Sequence, residues 1–324
     1  MKSLFKVAGI ASVIAFSSTA MAQTTLKLAH AAPESDLQQD MSLFFKKEVE
    51  ARTNGDIKIN IYPQGQLGSD KQMIDGSRAG IVDFTMVGLN NYNGLMPQSA
   101  AFTLPFMFPN REAAYKVLDG APGQEVLNNM EKFGLKGFGY PENGYRNMTN
   151  NEKPIRVPAD VKGLQMRVNG SKALNDMFNE LGANPQQLPV AELYTALETG
   201  VVDSQDHPIS VTLSFKFYEV QKYLSLTQHA YSPLVFSMNL KKFNKLSDEE
   251  QKIVTEVAAE AVAMQRKLSI KKEDMMIAEL EAGGMQVNRD VDGAAFQKAV
   301  QPVWSAFVAK NGDEMIKKIE AAAK

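Results

Sequence analysis

The sequence predicts an α/β fold with a mostly parallel, helix-covered sheet, arranged as about two domains. Three observations point there. Short strand-like segments alternate with amphipathic segments from residue 25 onward. The 324-residue chain has length for about two domains. No internal repeat, low-complexity tract or Pro/Gly/Ser-rich linker divides it. Two domains without a linker imply that the chain crosses between them more than once, and such crossings form a hinge.

The elements follow in order. Lys2 and Lys6 precede a mostly apolar run, Val7 to Phe16, that is too short to span a bilayer, and Ala20-Met21-Ala22 completes an export signal. Cleavage is expected before Gln23, leaving a soluble exported chain. Thr25 to His30 alternates like a half-buried strand. Ser35-Asp36-Leu37-Gln38 reads as a capping box, and Leu37, Met41, Phe44, Phe45 and Val49 form the stripe of the helix it opens. Asn54-Gly55 stops that helix before a strand over Ile57 to Tyr62. Ser69 caps a second helix ending near Gly76 to Gly80, and Val82 to Val87 is the third strand.

Further strands are expected at Leu135 to Tyr140, Leu164 to Val168, Val201 to Gln205, Tyr223 to Gln228 and Leu234 to Asn239. Helices are expected over Ser171 to Leu181 and Val190 to Glu198. Ser247-Asp248-Glu249-Glu250 is another capping box, and its helix runs to about Ala282 before Gly283-Gly284. At 1.5 Å per residue that helix is about 50 Å long, enough to span two domains.

Composition narrows the function. There is no cysteine, so disulfides, thiolate nucleophiles and cysteine metal sites are excluded together. A net charge of −2, spread without long blocks, lacks the basic face that nucleic acid requires. No nucleophile elbow, phosphate loop, dinucleotide fingerprint or paired-histidine zinc motif is present. Neither a cofactor nor a metal is expected. Asn147-Met148-Thr149 fits a glycosylation acceptor, a pattern frequent by chance.

The chain has three histidines, His30, His207 and His229, all expected at or just past strand ends, where open α/β sheets bind ligands. Two arginines stand out. Arg146 follows Asn143-Gly144-Tyr145 just after a strand, and Arg167 lies inside Leu164-Gln165-Met166-Arg167-Val168. Arg167 either sits on an exposed strand face or is a buried guanidinium. A buried one needs an anion, and its fork matches a carboxylate.

Several segments together carry a family resemblance: Gln66-Leu67-Gly68, Leu104-Pro105-Phe106, Gly144-Tyr145-Arg146, Lys162-Gly163-Leu164-Gln165-Met166-Arg167, Glu192-Leu193-Tyr194 and Phe217-Tyr218-Glu219-Val220-Gln221-Lys222. In order and spacing, the chain resembles the substrate-binding proteins of tripartite ATP-independent periplasmic (TRAP) transporters. The resemblance implies a two-domain periplasmic-binding-protein fold, with mixed sheets flanked by helices, a multiply crossed hinge and a long spanning helix. Its expected division is a leader over 1–22, one domain from 23–143 with 233–272, and a second from 144–232 with 273–324.

The same resemblance implies a cleft closing over an organic acid, with no bond chemistry. The principal carboxylate-binding arginine falls on Arg167 and the supporting one on Arg146. The usual pocket asparagine falls on His207, because Gln205-Asp206-His207-Pro208 stands where the common pattern is Gln-Glu-Asn-Pro. This variant, with Ala183-Asn184-Pro185 and His229-Ala230-Tyr231-Ser232-Pro233-Leu234, looks most like the branch binding 2,3-diketo-L-gulonate and uronates. His207 is therefore expected to set which acid is preferred, and a six-carbon sugar acid is the expected ligand. His30, Asp70, Asn91 and Asn169 match pocket-lining positions suited to sugar hydroxyls. The implied partners are the small and large TRAP membrane subunits, with the chain itself a periplasmic monomer.

Alternatives remain open at this level. A C4-dicarboxylate or keto acid fits the same transport system. A sugar-acid lyase or hydrolase could be built from Asp206, His207 and Glu192, although neighbours on a strand point to opposite faces. The binding protein of an ATP-driven importer has the same cleft logic. A metal or signal receptor is poorly served by three scattered histidines.

Overall fold

The computed structural model describes residues 23–324. The expected leader therefore lies outside the described residues. The first part of the chain builds β1 (Thr24–His30), α1 (Leu37–Arg52), β2 (Ile57–Tyr62), α2 (Asp70–Arg78), β3 (Phe84–Gly88), α3 (Arg111–Asp119), α4 (Ala121–Asn129) and β4 (Leu135–Gly139). Next come β5 (Glu142–Asn150), β6 (Gln165–Val168), α5 (Lys172–Glu180), β7 (Asn184–Gln187), α6 (Val190–Glu198), β8 (Ser204–His207) and α7 (Ile209–Ser214). The chain ends with β9 (Tyr223–Asn239), α8 (Leu240–Phe243), α9 (Asp248–Ala282), β10 (Gln286–Asn288), α10 (Gly293–Ala299), α11 (Gln301–Asn311) and α12 (Glu314–Ala323).

The sheet runs β2-β1-β3-β9-β5-β8-β6-β7, with β4 and β10 also on β9. It is mixed, where the opening rhythm predicts mostly parallel pairing. Its flanks are parallel: β2-β1-β3 at one side and β8-β6-β7 at the other. Its centre is antiparallel, because β9 runs against β3, β4 and β5.

Strand β9 joins the two flanks. Its first part pairs with β5 as far as Pro233, opposite Glu142, and from Leu234 it pairs with β3. Two strands are expected here, but one strand of 17 residues forms. The intervening residues His229 to Pro233 are all buried, and buried backbone must find ladder partners. Gln228, with φ 43°, marks a local irregularity that the sequence reading takes for an end.

Helix α9 is the second long connector. Ser247 and Glu250 form the expected capping box. Val254, Val257, Ala258 and Ala261 pack with Phe45, Ile59 and Phe236, while Met276 and Leu280 pack with Leu224 and Met285. One helix thus contributes to the core beside each flank. Helix α12 returns across the molecule and packs on α3 and α4, inside the unit expected for residues 23–143.

Three local expectations need correction. Helix α1 is capped by Asp36, whose carboxylate accepts from Gln38 N at 2.9 Å, and not by a Ser35 box. Strand β8 starts at Ser204 because Val201, 55% exposed, belongs to the turn after Gly200. Strand β5 was not expected, since Glu142, Arg146, Asn147, Thr149 and Asn150 give it no apolar alternation although all are buried. Asn147 donates to Tyr145 O at 3.0 Å from inside that strand, which removes it as a surface glycosylation acceptor.

Candidate functional site

A narrow cleft of about 60 Å³ lies where the two flanks meet. One wall comes from the chain just past β1 (Ala31, Ala32), the first turns of α1 and α2 (Gln38, Asp70), and β3 with the turn after it (Met86 to Gly88, Asn90, Asn91). The other comes from Asn143 and Arg146 of β5, Arg167 and Asn169 at the end of β6, Val190, His207 at the end of β8, and Val211 with Phe215. Ser232 and Leu234 of β9 line the junction. The parallel strands β1, β3, β6 and β8 all deliver their carboxyl ends here, as open α/β sheets do at ligand sites. Ser214 Oγ at the end of α7 donates to Asp36 Oδ2 at 2.7 Å, tying the two walls together.

Arg167 is 2% exposed, which resolves its alternatives in favour of a buried guanidinium. Its Nε and Nη2 donate to Leu188 O at 3.0 and 2.7 Å, and Nη1 donates to His207 Nε2 at 3.1 Å. None of the ion pairs among the described residues includes it. Burial, then the nearby Arg146 charge, pushes its pKa down to about 10, so it remains a cation at neutral pH.

Arg146 is different. Its Nε meets Asp206 Oδ2 at 2.5 Å, its Nη2 meets Oδ1 at 3.0 Å and also the Asp206 carbonyl. His229 Nε2 adds a contact to Oδ2 at 3.1 Å. Burial opposes the Asp206 charge, but Arg146 and His229 outweigh it and hold the carboxyl well below its usual range. The Arg146 charge is thereby offset, with Nη1 outside that pair.

The polar wall contains Asp70, which accepts from Asn91 Nδ2 at 3.2 Å. Burial raises its pKa, with Arg167 and Asn91 partly offsetting the effect. Asn169 Oδ1 accepts from Ser171 N at 2.9 Å, leaving its amide nitrogen for the cleft. His207 is held well below 6.5 by burial and then by Arg146 and Arg167, so its ring is neutral.

Six of the seven residues singled out from the sequence line this cleft: Arg167, Arg146, His207, Asn169, Asn91 and Asp70. His30 does not. Its ring is fully buried and bonds Gln39 Oε1 at 2.9 Å. Of the three histidines, His30 and His207 end β1 and β8, whereas His229 lies inside β9. Sequence reading missed Asn90, a residue of the cleft wall whose Nδ2 is buried without a partner. It also missed Asp206 as the partner of Arg146. The neighbouring Asn91 matches a family position, whereas Asn90 carries no motif of its own.

The enzyme alternative finds little support in this geometry. Asp206 is fully buried and tied to Arg146, His207 bonds Arg167 instead, and Glu192 is exposed on α6. Among the described residues no cluster of three or more His, Asp or Glu could hold a metal ion, and no helix is long and apolar enough to cross a membrane.

Comparison with known proteins agrees with this architecture. The profile of DctP, bacterial extracellular solute-binding protein family 7, matches residues 28–311. The 2,3-diketo-L-gulonate-binding periplasmic protein YiaO of Escherichia coli is 40% identical over 291 residues, covering 90% of this chain and 89% of that protein. A TRAP periplasmic solute-binding protein from Polaromonas, solved with D-erythronate, aligns with TM-score 0.90 at 37% identity, over 92% of this chain and 99% of that one. One from Sulfitobacter, solved with β-D-galacturonate, aligns with TM-score 0.89 at 32% identity, over 93% and 99%. With nearly its whole described length matched by one family profile and its cleft at the junction of two sheet flanks, this chain belongs to the DctP family of bacterial extracellular solute-binding proteins, family 7.

Proposed function

We propose that this protein is a periplasmic monomer that captures a six-carbon sugar acid, of the uronate or diketogulonate type, and hands it to the membrane subunits of a TRAP transporter. The observation that carries this reading is the Arg167 guanidinium, buried at the cleft with no carboxylate partner. A buried cation of this kind is stabilised by an incoming anion. The relatives support the ligand class: YiaO is named for 2,3-diketo-L-gulonate, and the two solved structures hold D-erythronate and β-D-galacturonate.

The energetics are adequate. Charge-assisted hydrogen bonds contribute about 1.5–3 kcal/mol each, and micromolar affinity needs about 8 kcal/mol net. Asp70, Asn90, Asn91 and Asn169 offer acceptors and donors to hydroxyl groups, while Val190, Phe215 and Leu234 meet the carbon skeleton. The volume of about 60 Å³ is narrow, so a six-carbon acid enters by parting the walls, and ligand shifts the population back to the closed form that the transporter meets.

A C4-dicarboxylate is the second reading. It is the less favoured of the two because Asp206 offsets the Arg146 charge and Asp70 places a carboxyl group in the wall, so among the described residues lining the cleft a second ligand carboxylate finds no unmatched cation. A thermal-shift panel of D-galacturonate, D-erythronate, 2,3-diketo-L-gulonate and succinate tests both. A ligand at about 100 times its dissociation constant adds about 2.7 kcal/mol of stability. Sugar acids are expected to stabilise and to be recovered unchanged by mass analysis. Stabilisation by succinate alone, or by none of the four, overturns the proposal.

A further inference from the structure

Both ring nitrogens of His207 are occupied within the protein. Nε2 lies 3.1 Å from Arg167 Nη1, and Nδ1 lies 2.5 Å from Gln205 Oε1. A guanidinium nitrogen only donates, so Nε2 accepts, and the neutral ring carries its proton on Nδ1. That proton is donated to Gln205. The series continues inward. Gln205 Nε2 donates to Thr149 Oγ1 at 2.7 Å, Thr149 Oγ1 donates to Gln221 Oε1 at 2.8 Å, and Gln221 Nε2 donates to Asp203 O at 3.2 Å.

Every member of this series donates to the next, in one direction from Arg167 to Asp203 O. Its members are all buried, with Gln205 and Thr149 fully so. A buried chain of this kind has no water to replace a lost partner, and each bond polarises the next. Reversing any one member sets two donors or two acceptors against each other. Phe217, 5.7 Å from the His207 ring centroid, packs against the same ring.

The other two histidines are wired the opposite way. His229 Nε2 faces Asp206 Oδ2, which only accepts, while Nδ1 meets Thr227 Oγ1 at 2.8 Å. His30 Nε2 faces Gln39 Oε1 at 2.9 Å. Both rings therefore carry the proton on Nε2.

We infer that His207 is a positioning residue rather than a ligand contact: the donor series Arg167–His207–Gln205–Thr149–Gln221 locks its Nδ1–H tautomer and so holds the Arg167 fork towards the cleft. Leu188 O grips Nε and Nη2 of the guanidinium, and His207 grips Nη1, leaving one hydrogen on each terminal nitrogen for an anion. Fixing the fork beforehand removes ordering cost from binding. The inference rests on the proposed capture of an acid. It differs from the expectation that His207 itself selects the acid, because a positioning role acts on every carboxylate alike.

Thr149 provides the test, since it does not line the cleft. The full mature chain is labelled with ¹⁵N-histidine, and His207→Gln assigns the ring. Wild type is expected to show one Nδ1–H ring, His207, beside two Nε2–H rings. Thr149→Val is expected to mix the His207 tautomers and weaken D-galacturonate and D-erythronate by the same factor, about three- to tenfold for one neutral hydrogen bond. Thr149→Ser is expected to retain both tautomer and affinity. An Nε2–H or doubly protonated His207 in wild type at pH 7 overturns the inference. So does a folded Thr149→Val with unchanged spectrum and affinity, or unequal factors for the two acids. If Thr149→Val does not fold, the wild-type spectrum decides. An Nδ1–H His207 in a protein that binds none of the acids leaves the tautomer lock standing and removes the transport reading instead.

Discussion

Asp206 grips Arg146 at two points, Oδ2 at 2.5 Å from Nε and Oδ1 at 3.0 Å from Nη2, with both side chains buried. This pair decides the electrostatics of the cleft. Of these two arginines, Arg146 has its charge matched within the protein, and Arg167 is left as the unmatched cation proposed to meet the ligand's carboxylate. The same carboxylate meets His229 Nε2, so a single buried acid holds both the Arg146 guanidinium and the His229 ring.

Removing the unmatched charge should abolish capture. Arg167→Ala is expected to lose about 3–5 kcal/mol of binding, two to three orders of magnitude or more. Arg167→Lys should retain part of the charge but lose the fork, and bind in between. Titration calorimetry with D-galacturonate checks both, and near-native affinity in Arg167→Ala counts against the assignment.

Breaking the matched pair should act on stability first. Asp206→Asn leaves the Arg146 charge buried without compensation, and the expected cost is about 3–5 kcal/mol. Urea unfolding reads it directly. The depressed Asp206 pKa has a defined sign as well: its contribution is fully present above the ordinary carboxylate range and is lost as pH falls through the folded value. Wild type should therefore lose more stability than Asp206→Asn on going from pH 5 towards pH 2.

The buried histidines give a second pH signature. His30, His207 and His229 are each lowered from 6.5, with burial the first cause. Below that pH the unfolded chain takes up protons that the folded chain refuses, so their contribution is complete above pH 6.5 and declines as pH falls. Each such proton is worth at most about 1.4 kcal/mol per pH unit. His229→Gln should flatten the stability profile between pH 6.5 and 5 by up to that slope. Asp36 and Asp70, raised by burial, act in the opposite sense, and the difference between the two proteins cancels them.

Asn90 should contribute to affinity although no motif marks it. Asn90 lines the wall and its Nδ2 is buried and unpartnered, so a ligand hydroxyl that reached it and accepted its hydrogen would relieve an unmet donor. Asn90→Ala is expected to weaken D-galacturonate about three- to tenfold, with a smaller effect on succinate. Equal effects on both would assign Asn90 a structural role only.

Much of this protein was legible in its residues because local rules are written locally. Alternation placed β1, the Asn54-Gly55 stop placed β2 after it, Ser69 and Ser247 placed two helix starts, and Gly283-Gly284 placed the end of a helix of 35 residues. Six of the seven residues singled out by the resemblance line one cleft, since motif spacing preserves which strand end a residue occupies. Tertiary structure alone decided the rest. Strand β5 is polar in sequence and buried in the fold because its partners β8 and β9 are distant in the chain and supply its ladder. Arg146 and Arg167 look alike in sequence, and only the position of Asp206 across the β5–β8 register matches one charge and leaves the other free. The state of the His207 ring likewise depends on four side chains gathered from four separate segments, and no window of sequence contains a hydrogen-bond direction.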